Sequence, residues 1–183
     1  GQSNTSNGAT LGGSGLMGTD FDLQSITSNQ IFDECVIEFD FVPESDTLRF
    51  NYCFGSEEYL DYVNDNYNDV FGFFISGPGF SGVYENGGEN IALIPGTNQA
   101  VSINNIHPQN PLNPACTPAF PEFFNDNNGT GNLPVYDGYL DIFTAEADVI
   151  PCETYTIKLV IESNVERKVH CVRHCSDVGV QSR

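Results

Sequence analysis

Five carboxylates fall within one short segment of the chain and are interleaved with three tyrosines. The carboxylates are Glu57, Glu58, Asp61, Asp65 and Asp69, and the tyrosines are Tyr59, Tyr62 and Tyr67. Ca²⁺ prefers hard oxygen ligands and takes 6–8 of them, so this density of carboxylates is typical of a calcium site. The spacing is not that of an EF-hand, since no DxDxDG is present. We therefore predict that these five residues bind calcium.

Two other interpretations of the same carboxylates remain open. They could form a solvated loop in which Asp and Asn side chains cap turns. They could also serve catalysis, in a hydrolase or glycan-processing domain that uses Glu57 and Glu58. Adjacent residues of an extended chain point in opposite directions, so such a site would need a further partner, Asp137 or Asp141.

The tyrosines indicate a binding surface for a glycan or a protein, because aromatic rings combine a large apolar face with a polar edge. Tyr59, Tyr62 and Tyr67 are the candidates, and the alternative is that at least half of such aromatics belong to the core. The absence of Trp weakens the glycan interpretation. His107 has no Ser or Cys partner motif, so we predict no catalytic residue of the nucleophile type.

Composition limits the class of protein. The 183 residues suggest one domain, and the net charge of −19 makes nucleic acid an unexpected partner, since phosphate binding needs a basic surface. No apolar run is long enough for a transmembrane helix. Six cysteines lack a zinc-ligand pattern, and in a secreted chain they favour disulfides among four of them. These four are Cys35, Cys53, Cys116 and Cys152.

The sequence pattern predicts short strands for the segments that position these residues. Ile31–Val42 and Thr47–Phe54 alternate apolar and polar residues around a turn and predict a hairpin. Val70–Ser76 is apolar on both faces and predicts a central strand. Thr154–Ile161 alternates again, whereas Thr19–Ile26 predicts only a short edge segment. About eight strands with Gly/Pro turns predict an all-β fold, a jelly-roll-like β-sandwich with long loops and little helix.

Three blocks of sequence resemble the bacterial choice-of-anchor L domain. They are YCFGSEEYLDYVNDNYNDVFGFFISGPG, NIALIPGTNQAVSINNI and YDGYLDIFTAEADVIPCETYTIKLVI. The resemblance spans roughly residues 19–161 and implies an extracellular domain of bacterial surface or secreted proteins. The family's biochemical activity is not established, so the resemblance implies location more than mechanism.

The ends of the chain depart from this family. Residues 1–18 are rich in Gly, Ser and Asn and predict a flexible lead-in, with the domain truncated at its N-terminus. Residues 19–161 form the predicted sandwich. Residues 162–183 are basic by comparison and predict a frameshifted or disordered tail.

The sequence as a whole predicts a non-enzymatic, adhesin-like module at the bacterial cell surface, stabilised by calcium. The alternatives are the hydrolase already described and a structural spacer within a larger surface protein.

Overall fold

The computed structural model describes residues 20–28, 32–64, 68–111, 113–130 and 136–163. Within these ranges the chain forms one α-helix, α1 (Phe21–Ile26), two short 3₁₀ turns and ten strands. The strands are β1 (Phe32–Phe41), β2 (Thr47–Tyr52), β3 (Gly55–Ser56), β4 (Val70–Ser76), β5 (Glu89–Asn90), β6 (Val101–Ser102), β7 (Phe124–Asp126), β8 (Gly138–Leu140), β9 (Phe143–Asp148) and β10 (Tyr155–Ser163). None of the helical segments in the described ranges has the length and apolar character to cross a membrane.

The strands form two layers, and each strand pairing is antiparallel. One layer has the order β1-β10-β4-β5, with β6 also paired to β4. In the other layer β2 pairs with β9, and β8 lies between β3 and β7. The Leu140 N–H donates to the Phe54 carbonyl at 2.8 Å and links the ladders of this second layer. The first strand thus pairs with the last and the second with the next to last, which confirms the predicted jelly-roll-like sandwich.

Aromatic side chains fill the space between the layers. Phe71 and Phe73 of β4 point inward and pack against Tyr52 and Phe50 of β2 with tilted rings, whose centroids are 5.2 and 5.0 Å apart. Ile157 of β10 is completely buried in the same cluster. Burial of each such side chain contributes about 1.5–3 kcal/mol of transfer free energy, so this cluster is the main source of the fold's stability.

The central strand β4 is covered on both faces, as its apolar sequence predicted. Its outer face carries Val70 and Phe74, which pack with Leu23 of α1 and Val160 of β10 in a second apolar cluster. The segment predicted as a short edge piece is therefore a helix. Asp20 caps it by accepting a hydrogen bond from the Leu23 N–H at 2.8 Å, and this cap favours the helix over an extended segment.

The predicted hairpin of the first two strands is wrong. β1 pairs with β10 in one layer and β2 pairs with β9 in the other, so the intervening residues cross between layers. Alternation identifies a strand and its inward face, but the partner is decided by long-range packing. β1 lies at the edge of its layer, and for that reason Ile37 and Phe39 remain 51% and 42% exposed.

The predicted disulfides are absent from the described part of the chain, where no bond joins any two of its four cysteines. The cysteines serve other contacts: Cys53 Sγ donates to the Leu140 carbonyl at 3.1 Å, and Cys116 is buried. Cys152 is exposed in a turn. Cys171 and Cys175 lie outside the described residues.

The predicted domain boundaries fall mostly where the structure gives no description. Residues 1–18 and 164–183 lie outside the described ranges. β10 extends to Ser163, two residues beyond the predicted end of the sandwich.

Candidate functional site

The acidic segment begins at β3 and returns to the sheet at β4, and Ser56 joins its two ends. The Ser56 hydroxyl donates to Asp69 Oδ2 at 2.6 Å and accepts from the Glu58 N–H at 2.8 Å. Ser56, Glu58 and Asp69 are all buried. The sequence motif GSEE thus places a hydroxyl between two acidic residues, and the loop is closed at its base.

Glu58 is a buried carboxylic acid among other acids. Burial is the largest cause that raises its pKa, followed by the negative charges of its neighbours, and the pKa reaches about 8. The charged neighbours, in order of effect, are Asp69, Glu57, Asp61 and Asp137. Glu58 Oε2 is buried and has no hydrogen-bond partner among the described residues. This carboxyl group is therefore protonated at neutral pH unless a cation is present.

No basic side chain of the described ranges offsets these acids. Those ranges contain only two Lys or Arg side chains, Arg49 and Lys158. Arg49 pairs with Glu146 at 2.6 Å, and Lys158 pairs with carboxylates beneath α1. An added cation would therefore be attracted electrostatically to the acidic loop.

Tyr59 is a core residue. It is fully buried and packs against Phe54 and Phe124, with ring centroids 6.3 and 4.8 Å away. Two glycines make room nearby: a Cβ at Gly138 would press on the Phe124 ring, and a Cβ at Gly55 would lie 2.6 Å from the Tyr136 ring. Tyr59 is consequently not available for a contact at the surface.

Of the two other predicted contact residues, Tyr62 is 39% exposed at the rim of the loop. Tyr67 and the predicted calcium ligand Asp65 lie outside the described residues. Glu57 is half-buried with its carboxylate oxygens turned inward, and Asp61 is half-buried.

The far side of the loop is tied to the segment after β6. The Asn64 N–H donates to Asn104 Oδ1 at 2.6 Å, and the Asn104 N–H donates to Asn68 Oδ1 at 3.2 Å. The Ile103 N–H donates to the Asp69 carbonyl at 3.1 Å. These bonds connect the described residues on this side of the loop to the segment that follows β6.

Asn64 also joins His107 and Cys116, which the sequence had shown no reason to connect. Its amide nitrogen lies 3.2 Å from His107 Nε2 and donates to Cys116 Sγ at 2.7 Å. His107 Nδ1 lies 2.8 Å from the Pro108 carbonyl, which can only accept, so Nδ1 carries the hydrogen. Nε2 then accepts from Asn64 and is not directed at the thiol, which is 3.9 Å away. The contacts among Asn64, His107 and Cys116 therefore anchor the loop. His107 and Cys116 do not have the geometry of a base and its nucleophile.

The structure adds one carboxylate that the calcium prediction lacked. Asp137, in the connection before β8, is buried and acts electrostatically on Glu58. Asp141, the other proposed catalytic partner, is exposed and accepts from Asn125 at 2.9 Å. The pairing of β3 with β8 places Asp137 near the loop, because Ser56 and Gly138 are direct register partners. Only knowledge of this strand pairing could have identified Asp137.

The carboxylates of the loop lie near one another but do not form a complete metal-binding site. Within the described ranges no three side chains of the His, Cys, Asp and Glu types converge on a point where they could hold a metal ion. A calcium ion here would need the acidic side chains to move toward it, together with ligands such as backbone carbonyls, water or Asp65.

Comparison with known proteins gives one result. The family model described as the choice-of-anchor L domain matches residues 1–171. Neither the curated proteins nor the solved structures contain a significant match.

Proposed function

Because the chain belongs to the choice-of-anchor L domain family, we propose that it is a non-enzymatic, adhesin-like binding module of a bacterial cell-surface protein, stabilised by Ca²⁺. The family supports an extracellular surface-protein module. The binding role and the calcium site go beyond what the family supports.

One observation supports the calcium proposal: the acid-rich loop contains a buried carboxyl group, and no Lys or Arg side chain of the described ranges pairs with it. Glu58 is 8% exposed, and its pKa is raised to about 8 by burial and by four neighbouring carboxylates. Both Lys and Arg side chains of the described ranges, Lys158 and Arg49, are engaged elsewhere. A bound divalent cation would lower the pKa of Glu58, so that this group ionises. It would also offset the repulsion among Glu57, Asp61 and Asp69.

Extracellular calcium is abundant enough for a weak site to be filled. Extracellular calcium modules bind with Kd values of roughly 10⁻⁴–10⁻³ M. The site would take its ligands from Glu57, Glu58, Asp61, Asp65 and Asp69, with Asp137 as an addition from the structure. Thermal unfolding of the full chain in chelator and in millimolar calcium tests this, with sodium at equal ionic strength as the control. Melting that is indifferent to calcium would refute it.

The binding surface proposed for the module is the rim of the same loop. Tyr62 is exposed there beside acidic groups, and Tyr67 follows it in the chain. An exposed aromatic ring on an anchored loop suits contact with a glycan or a protein. Tyr62→Ala should reduce retention on immobilised glycan and matrix-protein panels. Phe39→Ala, which alters an exposed aromatic on the edge strand β1, should leave retention unchanged. If no panel member is bound, the module is better described as a spacer.

A glycan-processing hydrolase is a second candidate, and the state of Glu58 favours it. A carboxylic acid that stays protonated near neutral pH, beside the acids Asp69 and Asp137, is the arrangement from which general acid catalysis starts. Turnover on a polysaccharide panel that is lost in Glu58→Gln and retained in the surface variant Glu153→Gln would establish this activity. Absence of turnover would leave the binding module.

A further inference from the structure

A second charged cluster lies on the outer face of the five-stranded layer, beneath α1. The proposed function makes no use of it. Lys158 of β10 is buried, with a side chain only 7% exposed. Its Nζ lies 2.5 Å from Asp22 Oδ2, 2.9 Å from Asp20 Oδ2 and 3.2 Å from Glu85 Oε2. We propose that Lys158 and Asp22 form an intramolecular isopeptide bond.

Asp22 is held in the orientation that such a reaction needs. Its side chain is 2% exposed, and Oδ1 accepts a hydrogen bond from the Glu85 N–H at 2.6 Å. That N–H polarises the carboxyl group and would stabilise the oxygen as charge develops on it. Oδ2 faces the amine. The two oxygens of Asp22 are thus differentiated, one as the future amide carbonyl and one as the leaving group.

The other acids of the cluster have different positions. Asp20 accepts from the Leu23 N–H through Oδ1 and serves as the helix cap. Glu85 is 58% exposed at the edge of the cluster and can exchange protons with solvent. The Phe74 ring lies under the amine, 5.5 Å from its centroid, and Leu23 and Val160 close the apolar wall. Apolar side chains therefore cover one side of the cluster, and a small pocket lined by Asp22, Glu85 and Lys158 opens on another.

The reaction balances without an oxidant or a cofactor. Lys158 first transfers one proton to Asp22 Oδ2, which converts the ion pair into an amine and a carboxylic acid. The amine lone pair then attacks Asp22 Cγ, and a carbon–nitrogen bond forms. Glu85 accepts a proton from the nitrogen and delivers it to Oδ2, so the carbon–oxygen bond breaks and one water leaves.

The first proton transfer is unfavourable. Burial acts to lower the pKa of Lys158, but the hydrogen bonds that Lys158 donates to Asp22, Asp20 and Glu85 outweigh it and raise the pKa. The ion pair is therefore the resting state, and the cross-link forms slowly after the chain has folded. The bond would join α1, near the start of the described residues, to the last strand.

Intact mass of the purified full chain tests this proposal directly. The thiols are reduced and the chain is denatured before measurement. After prolonged incubation of the folded protein, we expect a species lighter than the sequence by one water. A mass equal to the sequence mass at every time point would overturn the proposal.

The site of water loss is read from peptides. Trypsin should fail to cut after Lys158 in the lighter species, and a branched peptide should connect Lys158 to Asp22. Water loss that maps to a cyclic imide at Asp137–Gly138, or a bond from Lys158 to Asp20, would also overturn the proposal. Neither outcome depends on calcium or on a binding partner.

Variants separate the roles within the cluster. Lys158→Met and Asp22→Ala should abolish the water loss. Because these changes could also disturb folding, Glu85→Gln supplies the second test, since this residue is mostly exposed. It should slow formation at least tenfold in a folded protein. Asp20→Asn should still lose water. Equal rates in Glu85→Gln and the natural chain would contradict the proton-relay step.

Discussion

Ser56 Oγ donates a hydrogen bond to Asp69 Oδ2 at 2.6 Å, between two side chains that are both more than nine-tenths buried. The two residues mark the beginning and the end of the acidic loop, so one bond determines the width of its base. Charge-assisted bonds of this kind are stronger than those between neutral groups. The chemistry proposed for the loop depends on this closure.

Ser56→Ala should lower the free energy of unfolding by about 1–3 kcal/mol, because a buried carboxylate and the Glu58 N–H each lose a partner. Denaturant unfolding of both proteins measures the difference. Ser25→Ala is the matched control: its hydroxyl is exposed and bonds only to the Phe21 carbonyl, so the expected change is within about 0.5 kcal/mol. Equal effects in the two variants would show that the loop base is not closed by Ser56.

Glu58 should make stability fall as the pH rises. Its pKa in the folded protein is about 8, above the ordinary value of 4.5, so the folded state binds more protons than the unfolded state between these pH values. The stabilisation is complete below the unfolded pKa and is lost as the pH rises through the folded pKa, at up to about 1.4 kcal/mol per pH unit.

The comparison with Glu58→Gln isolates this contribution. Calcium-free unfolding of the natural chain from pH 5 to pH 9 should show a steeper decline than the variant, whereas the exposed variant Glu153→Gln should follow the natural chain. Parallel curves for Glu58→Gln and the natural chain would mean that Glu58 titrates normally.

Asp69→Asn should weaken the response of the melting temperature to calcium. Asp69 is buried where the loop joins β4, and its Oδ2 is held by the Ser56 hydroxyl. Calcium at 100 times its Kd stabilises the folded state by about 2.7 kcal/mol, so a loss of affinity reads out directly as a smaller shift. Asp148→Asn, on the exposed face of β9, should leave the shift intact. An unchanged shift in Asp69→Asn would remove this residue from the site.

Two buried tyrosines should respond differently to loss of the hydroxyl. Tyr155 Oη donates to the Pro78 carbonyl at 2.9 Å and accepts from the Ile150 N–H at 2.8 Å, so Tyr155→Phe should cost about 1–3 kcal/mol. Tyr59 Oη is buried and has no hydrogen-bond partner among the described residues, so Tyr59→Phe should be neutral or stabilising. Chemical denaturation of both variants provides the comparison. A large loss in Tyr59→Phe would indicate a partner for its hydroxyl.

Periodicity was sufficient to predict the all-β class and the burial of β4. A run such as VFGFFIS has apolar side chains on both faces, and only a covered central strand can accommodate that. The same reasoning identified β10 as a strand. It could not show that Lys158 on its outer face would be buried by α1, because that helix comes from the other end of the described chain.

Sequence alone also predicted a polar loop over residues 55–69, rich in acids and aromatics, between two strands, and the structure places the short strand β3 at its start. Tertiary structure decided what each of these residues does: Tyr59 packs in the core, Tyr62 is exposed, and Asp137 joins the acids from another strand connection. It also paired β1 with β10 and β2 with β9, where the sequence had suggested a hairpin. Alternation specifies which face of a strand is apolar, whereas its partner depends on the packing of segments distant in the chain.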